Sequence, residues 1–464
     1  MADKELHEVI TELIEVQDIP TLRATLSGAG EIEILQVLHA VSDENLPIVF
    51  RSLSKGQALD AFEQLDSDQQ RYLLRSFTDQ GATRYVNALA PDARVRLFDE
   101  MPAAVATKLL ASISPAEREV TATLMGYEPG TAGRIMTPEF ISLRAQMTAA
   151  QALDKVRKQA AEKETIYTLY VTSEHKRLEG VVTLRELLCA PPSSSISSIM
   201  AAPAVSVATT DDQEDVARTM QELDLLALPV VDNENRIVGI VTVDDAIDIL
   251  EEEVTEDIYK QAGLGTVPSQ NSEESRSDVL VNGSFWDIWK VRLPFLLITV
   301  VAGMLAGLVI EGFEEALESV VAVAIFIPLI MDMGGNVGTQ SSTVFARGVV
   351  LGHISQDRFW RHLAKEVAVG ASMGLLVGLL AGLAAAFWQG MPMLGVSVGI
   401  ALFFAMTLAA TLGFLVPFVL LKFGMDHAAG SAPIITSIKD IAGLLIYFAV
   451  AVALIPGIGQ YYYG

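Results

Sequence analysis

Eight of the fourteen residues from Asp244 to Asp257 are carboxylates. Written as a helix, the run DDAIDILEEEVTEDIYKQAGL places Asp245, Asp248, Glu252 and Glu256 on one face at intervals of three and four. Like charges so spaced destabilise a helix by about 0.2–0.5 kcal/mol per pair, a cost that a bound divalent ion reverses. Asp211, Asp212, Glu214, Asp215 and Asp224 lie a little upstream and add to the acid. Nothing soft accompanies them: Cys189 is the only cysteine and reads as packing, and the histidines at 7, 39, 175, 353, 362 and 427 form no cluster. Ligands that are all oxygen select a hard ion such as Mg²⁺ over zinc. The plainer reading of such a run is a solvated acidic face that keeps the chain soluble.

A second carboxylate sits where charge is expensive. In KFGMDHAAGSAPIITSIKDIAGLLIYF, Asp440 falls one or two turns inside an apolar stretch long enough to cross a membrane, and an ionisable group there usually marks an ion path. Mg²⁺ gives up water reluctantly and prefers an octahedron of oxygens, so one carboxylate with nearby carbonyls can hold the hydrated ion through its waters. Lys439 offers the alternative of a snorkelling lysine beside an interfacial aspartate. Upstream, IPLIMDMGGNVGTQSSTVFARG has glycines at 334, 335 and 338 that are expected to open the helix, while Asn336, Thr339 and Gln340 supply neutral oxygens suited to a water shell. Small residues also make close helix contacts in membranes, and the two readings are compatible.

These residues need elements to position them. Five apolar stretches follow residue 293, near Leu293–Ile310, Val320–Met333, His362–Phe387, Leu394–Leu421 and Ile434–Leu454, most of them near the roughly 20 residues a spanning helix requires. The second is the shortest and is expected to be broken by Pro328 and by Gly334–Gly335, as is tolerated where backbone lines a wet cavity. Lys290 and Arg292, then Arg347, Arg358, Arg361 and Lys365, then Lys422 mark the inner loops; Glu311, Glu314, Glu315 and Glu318 mark an outer one. The N-terminus is therefore expected in the cytoplasm and the C-terminus outside a plasma (inner) membrane. The opening MADKELHEVI has no apolar core of the kind a secretory signal needs.

Residues 1–292 carry a formal charge of −22 and residues 293–464 only −3. So acidic a soluble region repels phosphate backbones, which excludes nucleic acid as a partner. Before residue 130 short amphipathic patterns repeat at a spacing of 36, pairing Leu53 with Leu89, Phe62 with Phe98 and Leu65 with Met101, which suggests stacked helical hairpins. A firmer repeat, at a spacing of 59, pairs LYVTSEHKRLEGVVTLRELL with LPVVDNENRIVGIVTVDDAI. Each copy reads as strand, turn, glycine-led strand and helix. Over about residues 138–250 this resembles a tandem pair of cystathionine-beta-synthase (CBS) domains, which sense small ligands in other proteins. Such pairs often bind adenine nucleotides, and no residue here decides whether this one does.

Taken together, PLIMDMGGNVGTQ, APIITSIKD and VTVDDAIDILEEEVTEDI resemble the MgtE family of magnesium channels over nearly the whole chain. The resemblance implies a multidomain fold: an all-α helical superhelix (1–134), α/β CBS domains (135–200 and 201–258), a connecting or plug helix with its linker (245–285) and an all-α membrane domain of five helices (286–464). It also implies a homodimer with a two-fold pore lined by spans two and five, where Asp440 binds hydrated Mg²⁺ with help from Gly334, Gly335 and Asn336. Regulatory Mg²⁺ is implied at Asp212, Glu214, Asp224, Asp245, Asp248, Glu253, Glu256 and Asp257, with Asp92 as the match in the N-terminal domain. On this expectation, repulsion between acidic faces holds the cytoplasmic parts apart at low Mg²⁺. At high Mg²⁺ bridged faces close, helices near Ala246–Leu264 plug the entrance, and GTVPSQNSEESRSDVLVNGS acts as the tether. A carrier for Mg²⁺ or Co²⁺ coupled to Na⁺ or H⁺ needs the same aspartate and stays open as an alternative. An enzyme is not expected: no HExxH is present, and the apolar spans hold no Ser-His or Cys-His arrangement.

Overall fold

The computed structural model describes residues 2–16, 18–42, 44–65, 67–99, 101, 103–262, 264, 280, 281, 283–355, 358–423 and 431–455. They fall into two compact units, one reaching to Val254 and the other taking in Thr255 onward with the five apolar helices. Most of the expected tether, residues 265–284, lies outside the described residues.

The first unit opens with short helices from Ala2–Glu15 to Pro115–Leu124. Helices start at Lys55, Ser67, Asp79, Pro91, Ala103 and Pro115, one every twelve residues. Nine or ten residues make two and a half to nearly three turns, and two or three residues connect each helix to the next. The hydroxyls of Ser54, Thr78 and Ser114 cap three of these helices by accepting from the backbone N–H of Gln57, Gly81 and Glu117. Leu26, Leu38, Phe50, Phe62, Leu74, Val86 and Phe98 recur at the same interval, and all are buried. The 36-residue repeat is thus three helices long. The expected hairpins are replaced by a superhelix of single helices, with contacts recurring between helices two apart. Where polar residues enter the core they satisfy backbone: Gln70 Nε2 donates to Phe62 O at 2.6 Å and Arg94 Nε to Val86 O at 2.8 Å, each eight residues back.

The 59-residue repeat folds into two matching sheets. In one, β1 (Ser142–Leu143) runs parallel to β2 (Thr168–Thr172), which pairs antiparallel with β3 (Leu178–Thr183). In the other, β4 (Val207–Ala208), β5 (Ala227–Val231) and β6 (Ile237–Thr242) repeat that order. The paired glycines have one cause: Gly180 faces Val171 and Gly239 faces Val230, and a Cβ on Gly239 would stand 2.5 Å from Met136 Sδ. Backbone bonds from Leu178 N to Asn235 O and from Ile237 N to Lys176 O, both 3.0 Å, join the two copies.

In the second unit five helices are long and apolar enough to span a membrane: Phe285–Glu311, Ala322–Val350, Phe359–Gln389, Pro392–Lys422 and Ile435–Leu454. The second corrects the sequence reading. It is neither short nor opened by its glycines; after a single turn at Ala322–Ile325, one helix runs from Ile327 to Val350. Pro328 lies at its start, where a missing N–H costs nothing. A helix tolerates glycine at a cost of about 1 kcal/mol, and span five packs on Gly338, where a Cβ would stand 3.3 Å from Ile435 Cγ2.

Spans three and four lie closest. A Cβ on Gly378 would come within 2.5 Å of Gly399 O, and one on Gly382 within 2.6 Å of Gly395 O. Gly378→Val is therefore expected to destabilise the membrane unit by about 1–3 kcal/mol, the usual cost of overpacking. Thermal unfolding in detergent measures it, with Gly307→Val as the control, since a Cβ there meets nothing within 4 Å.

Candidate ion pathway and acidic regulatory face

Span two carries a polar stripe through apolar sequence. Asp332, Asn336, Thr339, Gln340 and Thr343 are exposed in the protomer and fall within an arc of about 100° on the helix. Asn336 Nδ2 donates to Asp332 Oδ2 at 3.3 Å. Thr343 Oγ1 lies 3.5 Å from Oε1 of Gln261, the last residue of the acidic helix Val243–Gln261, at the limit of a hydrogen bond. A Cβ on Gly334 would meet nothing within 4 Å, so that glycine borders open space.

Span five meets this helix at Gly335. Lys439 is only 8% exposed. It does not snorkel: its Nζ bonds Asp440 Oδ1 at 3.2 Å, and a Cβ on Gly335 would stand 2.7 Å from the same Nζ. The Asp440 side chain keeps 22% of its surface open. Span three contributes a further carboxylate, Glu366, whose Oε1 accepts from Ser341 Oγ at 2.6 Å. Of the expected set, the structure brings Gly335 against the Lys439–Asp440 pair, while Asn336, Thr339 and Gln340 lie on the exposed stripe of span two. Asp332 and Glu366 are further ionisable residues on these spans that the sequence reading left out, and Lys439, weighed there as a snorkelling lysine, is buried instead. For Asp332 and Glu366 the signal was available as an ionisable residue within an apolar span.

In the first unit Asp245 and Asp248 meet helix Pro91–Asp99 through Arg96. Its Nη2 lies 3.0 Å from Asp245 Oδ1 and its Nη1 3.3 Å from Asp248 Oδ2. Asp245 Oδ2 also accepts from Thr242 Oγ1 at 2.9 Å. One turn before Arg96, Asp92 Oδ1 is buried and has no hydrogen-bond partner. Arg96 is the residue the sequence reading missed: a guanidinium meets two of the carboxylates expected to take a metal. Among the described residues no three potential ligands converge as a metal site. The orphaned Asp92 oxygen nevertheless fits a cation, because a buried unpaired acceptor costs about 1–3 kcal/mol and a cation removes that cost.

The other expected ligands are engaged locally. Asp212 Oδ1 accepts from the N–H of Glu214 at 2.9 Å, Glu214 pairs with Arg218, Glu253 accepts from Gln213 Nε2 at 2.7 Å, and Glu256 pairs with Lys260 at 2.7 Å. Asp224 sits at φ +51° in an exposed turn, and Asp257 follows Glu256 on the acidic helix.

Burial, then the nearby charge of Glu164, pushes Asp92 up to about 6; burial, then the charge of Asp92, pushes Asp245 up to about 7. Carboxyls raised by burial favour the folded state while protonated. Their contribution is complete below the ordinary carboxylate value near 4 and is lost as pH rises through 6 to 7. In chelator, the thermal midpoint of the detergent-solubilised protein is expected to fall between pH 5 and pH 8, with millimolar Mg²⁺ restoring it at pH 8. A flat profile in chelator would remove these two acids from the account.

Comparison with known proteins agrees with this division. Residues 30–130 match the family model described as the MgtE intracellular N domain, residues 132–192 and 196–252 match CBS domains, and residues 327–450 match MgtE, a divalent cation transporter. The magnesium transporter MgtE of Thermus thermophilus is 33% identical over 460 residues, 98% of this chain and 100% of that one. The magnesium transporter MgtE of Bacillus subtilis is 33% identical over 396 residues, 85% of each chain. The solved cytosolic domain of the Mg²⁺ channel MgtE in complex with ATP is 32% identical with a TM-score of 0.50, covering 52% of this chain and 99% of that one. Full-length identity at this level, with each family segment in order, makes this chain a member of the MgtE family.

Proposed function

We propose that the chain moves hydrated Mg²⁺ across a membrane, along spans two and five, and that cytoplasmic Mg²⁺ closes the path. The observation that carries this reading is the exposed stripe of Asp332, Asn336, Gln340 and Thr343 on a helix long and apolar enough to span. Hydrocarbon does not tolerate such a surface, so it faces water or a second copy of the same stripe. Two copies meeting there enclose a polar channel, which is the basis for reading a homodimer. Asp440 supplies charge to the ion, while Asn336, Thr339 and Gln340 supply neutral oxygens to its waters, with Gly334 and Gly335 keeping that wall low. Full family membership and relatives named as magnesium transporters support the choice of ion.

Closure is assigned to the acidic faces. Asp92, Asp245 and Asp248 would hold a regulatory Mg²⁺ beside Arg96, and a bound divalent ion supplies charge neutralisation there. Asp212, Glu214, Asp224, Glu253, Glu256 and Asp257 are read as further ligands reached by exchanging local partners. The approach of Gln261 to Thr343 supports a plug at the inner end of span two. Positive inner loops support a cytoplasmic N-terminus and an external C-terminus in the plasma membrane. The likeness to a cytosolic domain solved with ATP supports an adenine nucleotide at the CBS pair. No catalytic role is proposed.

The test is Mg²⁺ entry into liposomes loaded with a Mg²⁺ dye. Reconstituted protein is expected to admit Mg²⁺ down its gradient, and no entry above protein-free vesicles defeats the proposal.

A further inference from the structure

An ammonium group buried beside the carboxylate that meets the cargo invites a specific question. Lys439 belongs to a spanning helix, is 8% exposed, and lies across Gly335 with its Nζ 3.2 Å from Asp440 Oδ1. Gly338 lines its stem, where a Cβ would stand 3.6 Å from Lys439 Cδ. The two glycines of span two thus make room for this side chain.

We propose that Lys439 is a tethered cation that fills the Asp440 site between ions and makes the path discriminate by charge. The proposal rests on the reading of Asp440 as the acid that meets the ion. A tethered group competes at high effective concentration. An arriving Na⁺ or K⁺ offers Asp440 one charge in exchange for one already in place, so it gains little and the site stays filled. A divalent ion offers twice the Coulombic attraction and also repels the ammonium, which moves aside. The same competition weakens the apparent affinity for Mg²⁺, which helps the ion to leave, since conduction needs sites that both accept and release. Gly335 is part of the device: any side chain there displaces Nζ while leaving its charge on the protein.

The experiment compares Mg²⁺ entry and Na⁺ entry without divalent ions in liposomes, for wild type, Lys439→Met, Lys439→Arg, Gly335→Ala and Asp440→Asn. Lys439→Met is expected to lower half-saturating Mg²⁺ at least tenfold and to admit Na⁺ that wild type excludes, with micromolar Mg²⁺ blocking that leak. Lys439→Arg should keep the exclusion, which a merely structural lysine would not predict. Gly335→Ala should shift half-saturation in the same direction as Lys439→Met. Wild-type half-saturation and Na⁺ exclusion in Lys439→Met overturn the proposal; if that variant does not assemble, the same result in Gly335→Ala overturns it. Should Asp440→Asn pass Mg²⁺ normally, the reading of the pathway itself is what fails.

Discussion

Reconstituted Asp440→Ala is expected to carry Mg²⁺ at no more than about a tenth of the wild-type rate, a loss of roughly 1.4 kcal/mol or more in the field that draws the ion into the span. The spanning part has few places to find negative charge. Asp440 is the carboxylate that span five brings to Gly335, and it retains an open side-chain surface while Lys439 holds one oxygen. Alanine removes the charge and leaves that ammonium without its partner, so an approaching cation meets net repulsion. Asp440→Asn separates charge from shape: it keeps the size and one oxygen but should be nearly as impaired. Asp332→Asn should cost less, because Asp332 is exposed on the stripe and an amide there still offers an oxygen. Dye-reported uptake ranks the three variants, and a wild-type rate for Asp440→Asn would show that the acid does not serve the ion.

The combined variant Asp245→Ala, Asp248→Ala and Glu256→Ala is expected to resist closure by internal Mg²⁺. Half-closing concentration should rise by about 5- to 150-fold, the span of a 1–3 kcal/mol coupling. Closure requires a ligand that binds the closed arrangement more tightly, and several weak carboxylate sites acting together give that difference its steepness. Asp245 and Asp248 already face a cation in Arg96, so removing them deletes both the metal's ligands and the guanidinium's partners. Inside-out patch currents across a Mg²⁺ series give the measurement. Ordinary closure in this variant would mean that the acidic helix only solubilises the chain.

The elements were legible where one period dominates. Alternation and a 59-residue echo identified both sheets, and apolar length identified all five spans. Pro328 and the glycines misled, because proline is tolerated at a helix start and glycine costs a helix only about 1 kcal/mol. Here Pro328 occupies a helix start, and Gly335 and Gly338 admit Lys439 and Ile435. The candidate site was read at Asp440 and along the acidic helix because charge there is dense or lies within an apolar span. Arg96 was hidden because its partners lie 149 and 152 residues away, and no local spacing announces such a pair. Lys439 was seen but weighed only as a snorkelling alternative, since reach toward water is the ordinary fate of a lysine near a helix end.

The twelve-residue beat of the first helices also fixes which lengths the chain can gain or lose there. Duplicating Lys55–Asp66 would return Phe62, Leu65 and every later apolar position to the same side of the array, lengthening it by one helix. Inserting six residues at the same point would add half a repeat and put every later apolar position out of step with the twelve-residue spacing. Natural variation in this segment should therefore come in dozens, and the array can be made longer or shorter without redesigning any single helix.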